Sequence, residues 1–68
     1  MGLTAREREV LSLLAQGLPN KSVAKRLGIS PKTVSNHIER VYAKLGVTNR
    51  AGAAMAAMHF GLVGATAP

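Results

Sequence analysis

The first third of the chain has apolar residues at the spacing of an amphipathic α-helix. Four of them fall near one helical stripe, with polar residues mostly between them: Val10, Leu11, Leu14 and Leu18. Thr4 precedes this run and Glu7 follows three residues later, which is the pattern of a capping box. The pattern predicts a first helix over about residues 4–16, with Gly17 as its stop.

A short second helix and a longer third one are predicted next, joined by a tight turn. Pro19 disfavours helix in the residue before it, and Asn20 is expected to cap a helix over residues 20–27. Gly28 ends this helix, and Ser30 caps the next at once. We expect small or branched side chains to pack between the two helices: Val23, Ala24, Leu27, Ile29 and Val34. This arrangement is typical of a helix-turn-helix.

The third helix is predicted over residues 31–45, with one apolar stripe and one polar face. Its apolar residues stand at i, i+4, i+7 and i+11: Val34, Ile38, Val41 and Leu45. Pro31 suits the first helical position. Together with a fourth helix predicted near the end of the sequence, these helices lead us to expect one all-α domain over residues 1–68. We expect a compact four-helix fold around a central helix-turn-helix.

The fourth helix, predicted over about residues 49–60 with Thr48 as its cap, is apolar almost all the way round. Two interpretations stay open. In the first, the alanines permit close packing on the other helices; in the second, one face meets its own copy in a symmetric dimer. The candidates for that dimer face are Ala54, Met55 and Met58. The glycine-containing and proline-containing end, 64–68, is expected to be frayed.

Charge narrows the classes of partner. Nine Lys and Arg residues against three Asp and Glu give a net charge of +6, which indicates an anionic partner such as nucleic acid or an acidic membrane. The amino terminus carries charges where a signal peptide needs an apolar run, and glycines and His59 interrupt the alanine-rich end. We therefore expect a cytoplasmic protein with no membrane span.

Enzyme chemistry is not expected from this sequence. Ser35 and His37 lie two apart on one helix and point in nearly opposite directions. Two histidines and no cysteine are too few for a typical zinc site, and His37 is interpreted as a helix histidine with its hydrogen bonds satisfied. The charges at residues 6–9 are interpreted as a solvated face. We expect neither a metal nor a cofactor.

The chain resembles the LuxR-type DNA-binding domain, the carboxy-terminal output domain of quorum-sensing regulators and of NarL/FixJ response regulators. The resemblance runs from Leu3 to about Val63 and is strongest in the opening T-x-R-E-x-E-V-L and in KTVSNHIERVYAKLGVTNR. The segment LGVTNRAGA separates it from the fourth region of sigma factors, which has a similar first helix. The resemblance implies a bacterial transcription regulator that binds duplex DNA as a homodimer, with dimer contacts through the fourth helix.

Full-length members of that family carry a receiver or ligand-binding domain before this one. This sequence has no such domain, so we expect either an isolated output domain, which the leading Met-Gly favours, or a small natural member. Many members have lysine at the position of Ser35, and some have a basic residue at that of Glu39. These two differences leave the operator sequence open.

The polar face of the third helix supplies the candidate base-reading residues if this helix enters the major groove. They are Lys32, Ser35, Asn36, Glu39 and Arg40. Asn36 is suited to adenine and Arg40 to guanine, whereas Glu39 either accepts from cytosine or orients a neighbouring cation. Candidate phosphate contacts are Lys21, Ser30, Thr33, Lys44 and Arg50. For Arg50, pairing with a glutamate of the first helix is the equal alternative.

Two rival functions remain open on the sequence alone. A basic protein-interaction module would dock a partner through the apolar fourth helix. An RNA-binding domain is less favoured because Tyr42 and Phe60 are the only aromatic residues and both are expected to be at least partly buried.

Overall fold

Four α-helices make up the part of the chain that the structure, a computed structural model, describes: residues 2–61. They are α1 (Ala5–Ala15), α2 (Asn20–Leu27), α3 (Pro31–Leu45) and α4 (Arg50–His59). No strand occurs within residues 2–61, so the predicted all-α fold with four helices is confirmed. The predicted frayed tail, 64–68, lies outside the described residues.

The start of α1 has the predicted capping box. The backbone N–H of Glu7 donates to Thr4 Oγ1 over 3.1 Å, and the backbone N–H of Thr4 donates to Glu7 Oε1 over 2.9 Å. Two of the orphan donors at the helix start are thereby satisfied. This end of α1 is determined by residues three apart in sequence.

The turn between α2 and α3 has the geometry that the sequence predicts. Gly28 adopts a left-handed conformation, with φ of +69°, and the N–H of Ile29 donates back to the carbonyl of Ala24. Ser30 then caps α3 by accepting from the N–H of Thr33, and Pro31 occupies the first helical position. The chain therefore leaves α2 and enters α3 with no flexible spacer.

Two of the predicted caps are wrong. Pro19 is the N-cap of α2, and Asn20 is the first residue of the helix. The side chain of Asn20 bonds to Ser35 and Arg50 instead of to the backbone of its own helix. Asn49, rather than Thr48, caps α4 by accepting from the N–H of Gly52 over 2.8 Å. A Cβ on Gly52 would lie 3.2 Å from Val47 Cβ, so α4 approaches the preceding loop closely.

The core consists of two apolar clusters that share α1 and α3. The first joins these helices to α2 and comprises Val10, Leu14, Val23, Ala24, Val34 and Ile38. The second joins them to α4 and comprises Leu3, Leu11, Val41, Ala53 and Ala57. The corner between α2 and α3 therefore has its own apolar support, and α4 packs chiefly against α1.

Candidate nucleic-acid interface

The polar face of α3 is presented to solvent by a helix whose opposite face is buried. Four of the five predicted base-reading residues are exposed: Lys32, Asn36, Glu39 and Arg40. Their spacing places them on one side of the helix, and three of them line a shallow depression of about 370 Å³ together with Ala43. The structure therefore brings this set together on a rigid element.

Ser35 differs from the other four predicted reading residues. It is half-buried at the margin of the polar face, next to the apolar stripe of α3. Its Oγ accepts a hydrogen bond of 3.4 Å from Asn20 Nδ2, at the start of α2. Ser35 is thus held by the neighbouring helix as well as by its own.

Three of the predicted phosphate contacts lie around the starts of α2 and α3. Lys21 is exposed in the first turn of α2. Ser30 accepts from the N–H of Thr33 over 3.1 Å, and the two hydroxyl oxygens are 2.9 Å apart and hydrogen-bonded. These hydroxyls rigidify the start of α3 and lie at the positive end of its dipole.

Lys44 forms an ion pair inside the domain. Its Nζ is 2.7 Å from Glu7 Oε1, and the side chain of Glu7 is only 3% exposed. The hydrogen bond from Lys44, followed by that from the backbone of Thr4, lowers the pKa of Glu7. The interpretation of residues 6–9 as a solvated face is therefore wrong for Glu7, although Arg6, Arg8 and Glu9 are exposed.

Arg50 also makes internal contacts, and they are not with a glutamate. Its guanidinium donates to the carbonyls of Leu18, over 2.6 Å, and Leu14, over 3.5 Å, and to Asn20 Oδ1 over 3.0 Å. The alternative in which Arg50 pairs with a first-helix glutamate is wrong. Lys44 pairs with Glu7, and Arg50 bonds instead to a carbonyl near the end of α1, to one in the loop after it and to Asn20. A phosphate contact by Arg50 would compete with these three bonds.

The outer side of α4 is apolar and exposed. Met55 is 72% and Met58 67% exposed, whereas Ala53 and Ala57 are buried in the second core cluster. Ala54 is half-buried at the margin, and exposed Ala51 lies on the same side as the two methionines. The alanines needed for packing and the apolar outer side are thus different faces of one helix.

Two aromatic groups differ from expectation. His37 is half-buried, and its Nδ1 has no hydrogen-bond partner among the described residues, so its interpretation as a satisfied histidine is wrong. Phe60 is 48% exposed, more than predicted, and its ring meets that of His59 edge-on at 5.1 Å between centroids. Neither group extends the polar face of α3.

Within residues 2–61, no group of three or more His, Cys, Asp or Glu side chains is placed to hold a metal ion. None of the helices described there is long and apolar enough to span a bilayer.

The contacts of Asn20 and Arg50, and the Glu7–Lys44 pair, are the features that sequence reasoning missed. Asn20 and Arg50 are 30 residues apart, and Glu7 and Lys44 are 37 apart. A polar residue at a helix start is usually a cap, so the sequence signal at Asn20 pointed to a local partner.

Known proteins match this chain over most of its length. The sequence profile described as "Bacterial regulatory proteins, luxR family" matches residues 1–57. The DNA-binding transcriptional activator DevR/DosR of Mycobacterium tuberculosis is 48% identical over 54 residues, which are 79% of this chain and 25% of that protein. The chain spans as little as 5% of other curated relatives that it matches.

Solved structures match the fold as well. The transcription factor GerE superposes with a TM-score of 0.79 and 41% identity over 90% of this chain and 91% of that chain. The response regulator ChrA, of a heme-sensing two-component system, gives a TM-score of 0.83 and 47% identity over 91% of this chain and 31% of its own. The relatives named here that carry a stated role are regulators of transcription or of a two-component response.

Proposed function

The chain belongs to the luxR family of bacterial regulatory proteins, and from this premise we propose that it binds duplex DNA sequence-specifically and thereby regulates transcription. The observation that carries the proposal is the exposed polar face of α3. An α-helix with its side chains is roughly 10–12 Å across, which matches the width of the major groove, about 12 Å, and α3 has 15 residues to present along it. The net charge of the whole chain, +6, supplies attraction to phosphates that does not depend on sequence.

The residues of this face have distinct base-reading chemistry. The Asn36 amide matches the N6 and N7 edge of adenine, and the Arg40 guanidinium matches O6 and N7 of guanine. Glu39 lies in the same depression as Arg40, so it either accepts from cytosine N4 or orients that guanidinium. Lys32, in the first turn of α3, reaches a guanine or a phosphate.

Phosphate contacts are proposed for the residues around the two helix starts, Lys21, Ser30 and Thr33. They flank the polar face of α3, and backbone N–H groups at helix starts add donors for phosphate oxygens. Lys44 and Arg50 remain secondary candidates, because each already stabilises the domain through bonds of 2.7 Å and 2.6 Å, respectively. We propose that these internal bonds hold the helices together.

We further propose that the chain pairs with its own copy through α4. Two exposed methionines form an apolar side that a water-exposed helix does not need, and Met side chains adapt to an opposing surface. A symmetric pair would place two α3 helices on two half-sites.

The cytoplasm is the compartment in which such a regulator meets its DNA, and a receiver or ligand-binding domain would precede this one in a full-length relative.

The decisive experiment is selection of bound sequences from a random duplex pool, followed by salt-titrated binding of the enriched duplex. We expect one enriched motif, and weaker binding to random duplex, single-stranded DNA and RNA of equal length. A steep loss of affinity with salt is expected on every duplex. Equal binding to all four nucleic acids would contradict sequence-specific duplex binding, and no binding would favour a protein-interaction module that uses α4.

A further inference from the structure

A directed chain of hydrogen bonds runs from the start of α4 to the reading helix α3. Arg50 Nη2 donates to Asn20 Oδ1 over 3.0 Å, and Asn20 Nδ2 donates to Ser35 Oγ over 3.4 Å. Arg50 is itself anchored on the carbonyl of Leu18 at 2.6 Å. All three side chains are half-buried, so the chain lies between the helices and not on the outer surface.

The direction of this chain is set by chemistry. A guanidinium has only donors, so Asn20 must present its oxygen to Arg50. The amide NH₂ of Asn20 then has to face Ser35, whose hydroxyl acts as the acceptor. The amide of Asn20 occupies one lone pair of Ser35 Oγ. The hydroxyl proton of Ser35 therefore remains available to donate to an acceptor other than Asn20 or Arg50.

The angle between α2 and α3 also has apolar support that does not depend on these hydrogen bonds. Val23, Ala24, Val34 and Ile38 already close that corner as part of the first apolar cluster. Asn20 does not cap its own helix either, although it stands at its first position. The bonds of Asn20 therefore reach Ser35 and act on its rotamer and polarity, besides joining α2 to α3 and α4.

We propose that Asn20 and Arg50 are positioning residues for DNA reading, which fix Ser35 as a hydrogen-bond donor at the edge of the α3 polar face. The inference rests on the proposed function. Ser35 then favours an acceptor on a base edge, such as guanine O6 or N7 or thymine O4. It disfavours the amino groups of adenine and cytosine at the same place.

A double-mutant cycle in the 68-residue protein tests this inference. Asn20→Asp keeps an acceptor for Arg50 but removes the donor to Ser35, and Ser35→Ala removes the acceptor. The measured quantity is the ratio of the dissociation constants for random and selected duplex, since a change in charge alone weakens both duplexes alike. Gln16→Glu, which adds the same charge at an exposed position, is the matched control.

Each single variant is expected to lower this ratio roughly threefold to tenfold, the range of one net hydrogen bond. The double variant should lose no more than either single one, and Gln16→Glu should leave the ratio unchanged. Reselection with Ser35→Ala should relax preference at one base position. Asn20→Leu, which is neutral and similar in volume, gives a second cycle, and circular dichroism checks that every variant is folded.

Additive losses in the double variant would overturn the inference, as would an unchanged ratio in both single variants. In either case a wild-type preference for the selected duplex leaves the proposed function standing. Wild-type chain with no preference for any duplex would overturn the proposed function and this inference together.

Discussion

Asn36 is the residue in which the proposed reading chemistry is most concentrated. It is exposed in the middle of the α3 polar face, and its amide offers one donor and one acceptor to a single base edge. Substitution should therefore affect selected DNA and leave the fold unchanged. Residues of the two helix starts should behave differently, since phosphates are the same on every duplex.

Asn36→Ala is expected to weaken binding to the selected duplex by roughly 1–3 kcal/mol and to leave binding to random duplex nearly unchanged. Fluorescence anisotropy at one salt concentration measures both constants. Gln16→Ala is the control, because it truncates an exposed amide on another helix. Equal losses on the two duplexes would refute base reading by Asn36.

Glu7 makes the stability of the domain sensitive to acid. Its pKa is lowered in the folded state by Lys44 and by the backbone of Thr4, so the ionised carboxylate stabilises the fold above the ordinary glutamate range, about pH 4.3. The contribution is lost as the pH falls through the lowered pKa. Urea unfolding between pH 7 and pH 3 should show this loss in the free energy of unfolding.

In Lys44→Met the dependence on pH should be shallower, because the first cause of the lowered pKa is gone. Glu9→Gln is the matched control, since the carboxylate of Glu9 is 58% exposed and 3.7 Å from Arg6. A Lys44→Met variant with the wild-type acid profile would show that the ion pair does not stabilise the domain.

Among the elements, the turn at Gly28 is the point where backbone conformation matters most. A Cβ there would meet no atom within 4 Å, so any cost of a side chain comes from the positive φ alone. Gly28→Ala is expected to lower the free energy of unfolding by about 1 kcal/mol. Gly28→Asn should lose less, because asparagine tolerates left-handed angles, and urea unfolding distinguishes them. An Ala variant as stable as wild type would contradict this account.

The elements themselves could be predicted well because their signals are local. Thr4 and Glu7 are three residues apart, Gly28 determines its own turn, and the apolar stripe of α3 repeats within one helix. Asn20 and Thr48 show where local reasoning fails. A capping pattern predicts that a polar side chain accepts from a nearby backbone N–H. It carries no information on a competing donor from another helix, such as Arg50 for the side chain of Asn20.

The candidate site could be predicted in part for the same reason. The exposed face of α3 follows from helical spacing, which places Lys32, Asn36, Glu39 and Arg40 together. Which cations are free to contact DNA does not follow from spacing. Lys44 and Arg50 have partners that are 37 and 30 or more residues away, and only the packing of α1 against α3 and α4 brings them close.

At the scale of the whole molecule, the exposed side of α4 is expected to control assembly. Met55→Glu should abolish cooperative occupancy of two half-sites about one helical turn apart, because it places a charge in the apolar contact. Sedimentation with and without DNA measures the association. Ala5→Glu adds the same charge to the exposed start of α1 as a control. Unchanged assembly of Met55→Glu would refute pairing through this side.

The two-part core has a consequence for how the domain opens. The cluster beneath α4 receives from that helix the small side chains of Ala53 and Ala57, whereas the other cluster receives Val23 from α2 and Val34 and Ile38 from α3. Because α1 and α3 also belong to the other cluster, they can stay packed when α4 detaches, so the amide hydrogens of α4 should exchange with solvent deuterium faster than those of α1 and α3. Hydrogen exchange followed by mass spectrometry would resolve the two rates. The helix-turn-helix would then persist as a cooperative unit when α4 detaches, and in the proposed pair the partner copy should slow exchange in α4 first.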